Sequence, residues 1–96
     1  MDERLYIVTY DIASRRRWRK VFRTMEGYGE WLQLSVFQCR LTPRRRAEMV
    51  SDLDTLIHHG DDHILIVDLG PADKVSPRVE SLGKRFDAVA REPIIV

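Results

Sequence analysis

The chain has 96 residues, 44% hydrophobic and 32% charged, with a formal net charge of +1. That composition excludes an intrinsically disordered chain and fits one soluble globular domain spanning residues 1–96, too small for a large core and often helped by oligomerisation. No apolar run approaches the roughly 20 residues that cross a bilayer, so no membrane association is expected. The first residues lack the basic start and apolar core of a signal peptide, and the lone Cys39 can neither form an internal disulfide nor build a zinc site. The expected compartment is the reducing cytoplasm.

Residues 5–12 are almost wholly apolar or aromatic on both faces, with Asp11 the charged exception, as in a central strand. Ser14 can cap a following helix in which Trp18, Val21, Phe22 and Met25 recur at i, i+3, i+4 and i+7. Those four face inward, which leaves Arg15, Arg16, Arg19, Lys20 and Arg23 on the outer arc. Gly27 and Gly29 end the helix. Residues 30–41 read as extended, either one long strand or two bent near Ser35. Thr42 and Pro43 form a cap followed by a first-turn proline, and Met49, Val50, Leu53, Leu56 and Ile57 give the next helix its apolar stripe, which Gly60 stops. Residues 63–69 read as a third buried strand, broken by Gly70 and Pro71. Residues 79–82 allow a short strand, and residues 93–96 are apolar. Both helices belong on one face of an antiparallel sheet. The other face is left uncovered and asks for a partner.

The near-zero net charge hides an uneven distribution. Between Ser14 and Arg46 lie ten basic residues (Arg15, Arg16, Arg17, Arg19, Lys20, Arg23, Arg40, Arg44, Arg45, Arg46) and two acids, Glu26 and Glu30. Arginine in this density is either a solvated face or a surface for phosphate, which its planar fork can grip bidentately. Tyr10 and Asp11 are the sharpest local feature. Asp11 falls where the first strand leaves the sheet, a place for a functional carboxylate or for a turn-capping one. His58, His59 and His63 lie near Asp61 and Asp62, but their spacing matches no metal-ligand pattern, and two of them fit a helix C-terminus electrostatically. No glycine-rich phosphate loop is present, nor the aromatic pattern of an RNA-recognition motif.

The order YIVTYDI over residues 6–12, an arginine-rich helix, Gly29, QLSVF over residues 33–37 and a Thr42–Pro43 helix start resembles the CRISPR-associated Cas2 family over nearly the whole length. The resemblance implies a ferredoxin-like βαββαβ fold with an extra C-terminal strand, here residues 93–96, and a two-fold homodimer packed sheet against sheet. It implies a role in spacer acquisition beside a larger CRISPR integrase subunit, acting on DNA or RNA, with metal-dependent endonuclease activity in some members and a scaffold role in others. Carried over by position, Asp11 is the metal-binding and catalytic carboxylate and Tyr10 its catalytic neighbour. Arg16, Arg17, Arg19, Lys20 and Phe37 are the nucleic-acid-binding positions. Mg²⁺, or Mn²⁺ in its place, would sit between the two Asp11 carboxylates at the dimer axis, since like charges brought that close repel without a cation. Ser35 and Tyr10 would hydrogen-bond substrate or bound water. Many members carry Arg two residues before the motif glutamine, where this chain has Trp31.

Overall fold

The computed structural model describes residues 2–83. Six elements follow in the order β1 (Arg4–Asp11), α1 (Arg15–Glu26), β2 (Glu30–Gln33), β3 (Val36–Leu41), α2 (Pro43–Leu56) and β4 (His63–Pro71). The expected βαββαβ order is present. The sheet runs β2-β3-β1-β4 with every pair antiparallel, so β1 is central and β2 and β4 are the edges. None of the described helices is long and apolar enough to cross a membrane.

Alternation along β1 separates the two faces. Tyr6, Val8 and Tyr10 join Phe37, Cys39 and Leu41 of β3 beneath Val21, Phe22 and Met25 of α1 and Met49 and Leu53 of α2. This single cluster is the core, and both helices cover the same face of the sheet. Its aromatic centre is a chain of ring contacts: Trp18 on Phe22 at 5.2 Å between centroids, Phe22 on Phe37 at 5.5 Å, and Phe37 on Tyr10 at 6.3 Å. The opposite face carries Ile7 and Thr9 of β1, paired in register with Val67 and Leu65 of β4. Leu65 and Val67 are about half exposed, at 50% and 47%.

The helix starts form as their sequence dictates. Ser14 Oγ accepts from Arg17 N at 3.2 Å, and Thr42 Oγ1 accepts from Arg45 N at 3.2 Å with Pro43 at the first turn. Each side chain satisfies one backbone donor that the first turn leaves open.

Of the two forms open to residues 30–41, the pair bent near Ser35 is the one present: two strands joined at Leu34 and Ser35, with Leu34 at φ 37° and 74% exposed. Trp31 Nε1 donates to Leu34 O at 3.0 Å and Trp18 Nε1 to Ser35 Oγ at 2.7 Å, holding the turn in a conformation that L side chains rarely adopt. Gly27 ends α1, but Gly29 serves a close approach: a Cβ there would lie 2.5 Å from Cys39 Sγ and from Gln38 O. Helix α2 ends at Leu56, short of Gly60, and Val50 faces solvent. The fourth strand is an edge strand covered on one face only, because no further strand or helix among the described residues covers Leu65 and Val67. It also continues through Gly70 to Pro71. Gly70 adopts φ 115°, and the pairing slips between Leu5–Gly70 and Tyr6–Asp68, a bulge that leaves Leu69 unmatched. Residues 79–82 form no strand. The C-terminal strand expected at residues 93–96 lies outside the described residues.

Candidate functional site

Asp11 is the last residue of β1 and lies on the uncovered face, exposed to solvent. Its carboxylate makes no hydrogen bond or ion pair among the described residues. The structural role open to such an aspartate, capping the turn or the next helix, is filled by two others. Ser14 caps α1, and Asp62, from the α2–β4 connection, holds the turn. One Asp62 oxygen accepts from Ala13 N at 2.9 Å, the other from His58 N at 2.8 Å, and Arg17 adds its Nε at 2.7 Å and its Nη2 at 3.1 Å. The Asp62 side chain has no solvent exposure. The Arg17 guanidinium, and then the two backbone donors, hold this carboxyl well below the usual carboxylate range against the opposing effect of desolvation. Asp62 thus ties the turn that follows Asp11 to the turn that precedes β4.

The other sequence-derived positions divide between surface and interior. Tyr10 projects to the face opposite Asp11, 6% exposed, inside the aromatic cluster. Burial, and then the nearby Glu26 charge, push its phenol well above the ordinary tyrosine value. The sheet therefore stands between Tyr10 and anything that meets Asp11. Phe37 is wholly enclosed, at 0% exposure, and has no surface to offer a base. Arg17 is committed to Asp62. Arg16, Arg19 and Lys20 are exposed and make no ion pair among the described residues, so α1 presents them outward as the basic arc requires. Ser35 Oγ is engaged by Trp18, although its hydroxyl proton remains to donate. Trp31 packs edge-on against Phe22 at 5.9 Å and clamps the hairpin turn, a structural use of the position where the family resemblance leads one to expect arginine.

The histidines separate in space. His58 pairs with Asp61 at 3.3 Å and His59 with Asp54 at 2.8 Å, both on the surface. No group of three metal-donor side chains occurs among the described residues. His63 is different: it opens β4 directly across from Asp11 in the antiparallel register. Sequence spacing grouped it with His58 and His59, because only strand pairing brings residues 52 positions apart together. Cys39 is buried, and desolvation pushes its thiol up to about 12, which leaves it inert as a nucleophile.

Comparison with known proteins agrees with this architecture. The model of the CRISPR associated protein Cas2 family matches residues 4–75. A CRISPR-associated endoribonuclease Cas2 of Geobacter sulfurreducens is 54% identical over 94 residues, covering 98% of this chain and 99% of the relative. A second relative of that name, from Rhodospirillum rubrum, is 55% identical, with 98% and 92% of the two chains covered. Among solved structures, Streptococcus pyogenes Cas2 at pH 6.5 superposes with a TM-score of 0.72 at 33% identity, over 82% of this chain and 99% of that one. A sheet ordered β2-β3-β1-β4 under two helices, with a free aspartate ending its central strand and such relatives along nearly all its length, places this chain in the CRISPR-associated Cas2 family.

Proposed function

We propose that the chain acts in the cytoplasm in CRISPR spacer acquisition, as a two-fold homodimer that binds DNA or RNA and cleaves phosphodiester bonds with the help of a divalent cation held by Asp11. The observation that carries this reading is the Asp11 carboxylate itself. It stands at the end of the central strand, exposed, with both oxygens unengaged among the described residues. A carboxylate without a structural partner is a hard oxygen donor available to a cation, and Mg²⁺ takes one or two carboxylates and completes its shell with water and phosphate oxygens. The donor type fits the ion. The relatives named endoribonucleases support the activity.

The sheet face left open among the described residues supports a reading in which one carboxylate per chain is sufficient. Ile7, Leu65 and Val67, with Thr9 among them, form a largely apolar strip that runs up to Asp11. Packing of two copies across a two-fold axis on this strip buries it and presents the same aspartate twice. A bound cation there would polarise a phosphodiester and lower the barrier to attack by water. The chain's own groups do the rest. Arg16, Arg19 and Lys20 hold phosphates without reading sequence, and the Asp62 tie keeps the Asp11 turn in place. The larger integrase subunit is the protein partner in this scheme.

Asp11→Asn tests the catalytic part. The exposed site predicts unchanged folding and a drop in Mg²⁺-dependent cleavage of at least about a hundredfold, the lower end for loss of one electrostatic stabiliser. Equal cleavage by the two proteins would assign the activity elsewhere. A scaffold role predicts instead that Asp11→Asn still supports spacer integration.

A further inference from the structure

The uncovered face holds one nitrogen donor that the reading above does not use. His63 is the register partner of Asp11, and residues directly opposed in an antiparallel pair hold their Cβ atoms roughly 4.5–5.5 Å apart. Both side chains belong to the same face. Along β4 the neighbours Ile64 and Ile66 pack against the core, which turns His63, Leu65 and Val67 outward. Along β1 the buried Tyr10 turns Asp11 outward in the same direction. His63 is exposed and, unlike His58 and His59, makes no ion pair or hydrogen bond among the described residues. No ion pair joins it to Asp11 either, so two unengaged donors of different hardness stand side by side.

Their spacing is also fixed. Asp62 accepts from Ala13 N, two residues beyond Asp11, and is itself the residue before His63. Its further bonds to His58 N and Arg17 anchor both connections at once. A pair held by strand register and by a buried carboxylate is preorganised for a shared ligand.

We propose that His63 is a second donor to the cation at Asp11, so that each protomer presents one carboxylate and one imidazole and the site prefers a first-row transition ion such as Mn²⁺ or Co²⁺ over Mg²⁺. The proposal rests on the reading of Asp11 as a cation ligand. Its chemistry is that of the donor set. Mg²⁺ is a hard ion that takes oxygen and gains little from imidazole, whereas nitrogen donors raise affinity along the series from Mn²⁺ towards Cu²⁺.

Binding of Mg²⁺, Mn²⁺ and Co²⁺ to the full chain, measured by calorimetry and by the visible absorption of Co²⁺, tests it without any cleavage assay. His63→Ala should weaken Mn²⁺ and Co²⁺ binding by about tenfold or more, the range for losing even a supporting partner of a ligand, and alter the Co²⁺ spectrum. Mg²⁺ affinity should stay within about twofold. His58→Ala with His59→Ala should leave all three ions unaffected. Unchanged Mn²⁺ and Co²⁺ affinity in His63→Ala, alongside weakened binding of every ion in Asp11→Asn, would overturn the role of His63 and spare that of Asp11. Full retention of binding in Asp11→Asn would overturn both. Loss of the transition-ion preference in the His58 and His59 double variant would move the site to the surface pairs.

Discussion

Replacing Phe37 by Leu separates a core role from a nucleic-acid role at a position where the family resemblance alone suggests contact with a base. The ring has 0% exposure and touches Phe22 at 5.5 Å and Tyr10 at 6.3 Å between centroids. Leucine keeps an apolar body but forfeits two ring contacts, each worth about 0.5–1.5 kcal/mol. The expected loss is therefore about 1–3 kcal/mol, against about 3–5 kcal/mol for Phe37→Ala. A domain with about 5–15 kcal/mol of stability survives the leucine change. Urea denaturation at one fixed protein concentration reads the loss as a lower midpoint with an unchanged slope. For a slope of about 1–3 kcal/mol/M, the midpoint falls by roughly 1 M. Affinity for a labelled duplex, measured by anisotropy on the folded variant, should be unaltered. A stability equal to that of the parent, combined with weakened duplex binding, would refute the interior assignment.

Four further outcomes follow from the same structure. Gly29→Ala should destabilise the fold by about 1–3 kcal/mol in urea, because a methyl group there meets Cys39 Sγ and a backbone oxygen at 2.5 Å. Joint replacement of Arg16, Arg19 and Lys20 by Glu should abolish nucleic-acid binding at physiological salt with the thermal midpoint little changed, whereas Arg17→Ala should lower that midpoint by stranding buried Asp62. The folded-state depression of the Asp62 carboxyl means that its contribution to stability is fully present above about pH 4, the ordinary carboxylate value, and drains away as pH falls towards the depressed folded value. Asp62→Asn should thus flatten the decline in stability between about pH 4 and 2, seen in urea midpoints across that range.

Element order was legible because the signals are local. The period-3.6 stripe of Trp18, Val21, Phe22 and Met25, the caps Ser14 and Thr42, and the first-turn proline each act within one or two turns of chain. What escaped depends on pairing across the sheet. The bulge that carries β4 through Gly70 is a property of two strands, and so is the placement of His63 against Asp11. The same limit applies to side-chain roles. Arg17 looks like its neighbours in the sequence, and only the approach of Asp62 from 45 residues away sets it apart. The alternation that buries Tyr10 and frees Asp11 was readable once β1 is placed centrally, yet the helix face claims the tyrosine that resemblance had grouped with the aspartate.

The division of labour within α1 bears on any charge scan of this helix. Arg17 is spent on the buried Asp62 while Arg16 and Arg19, one and two positions away, point to solvent. A block replacement of all three would mix unfolding with lost contact to the polyanion and give one phenotype for two causes. Single substitutions graded by circular dichroism before any gel is run would tell the two apart.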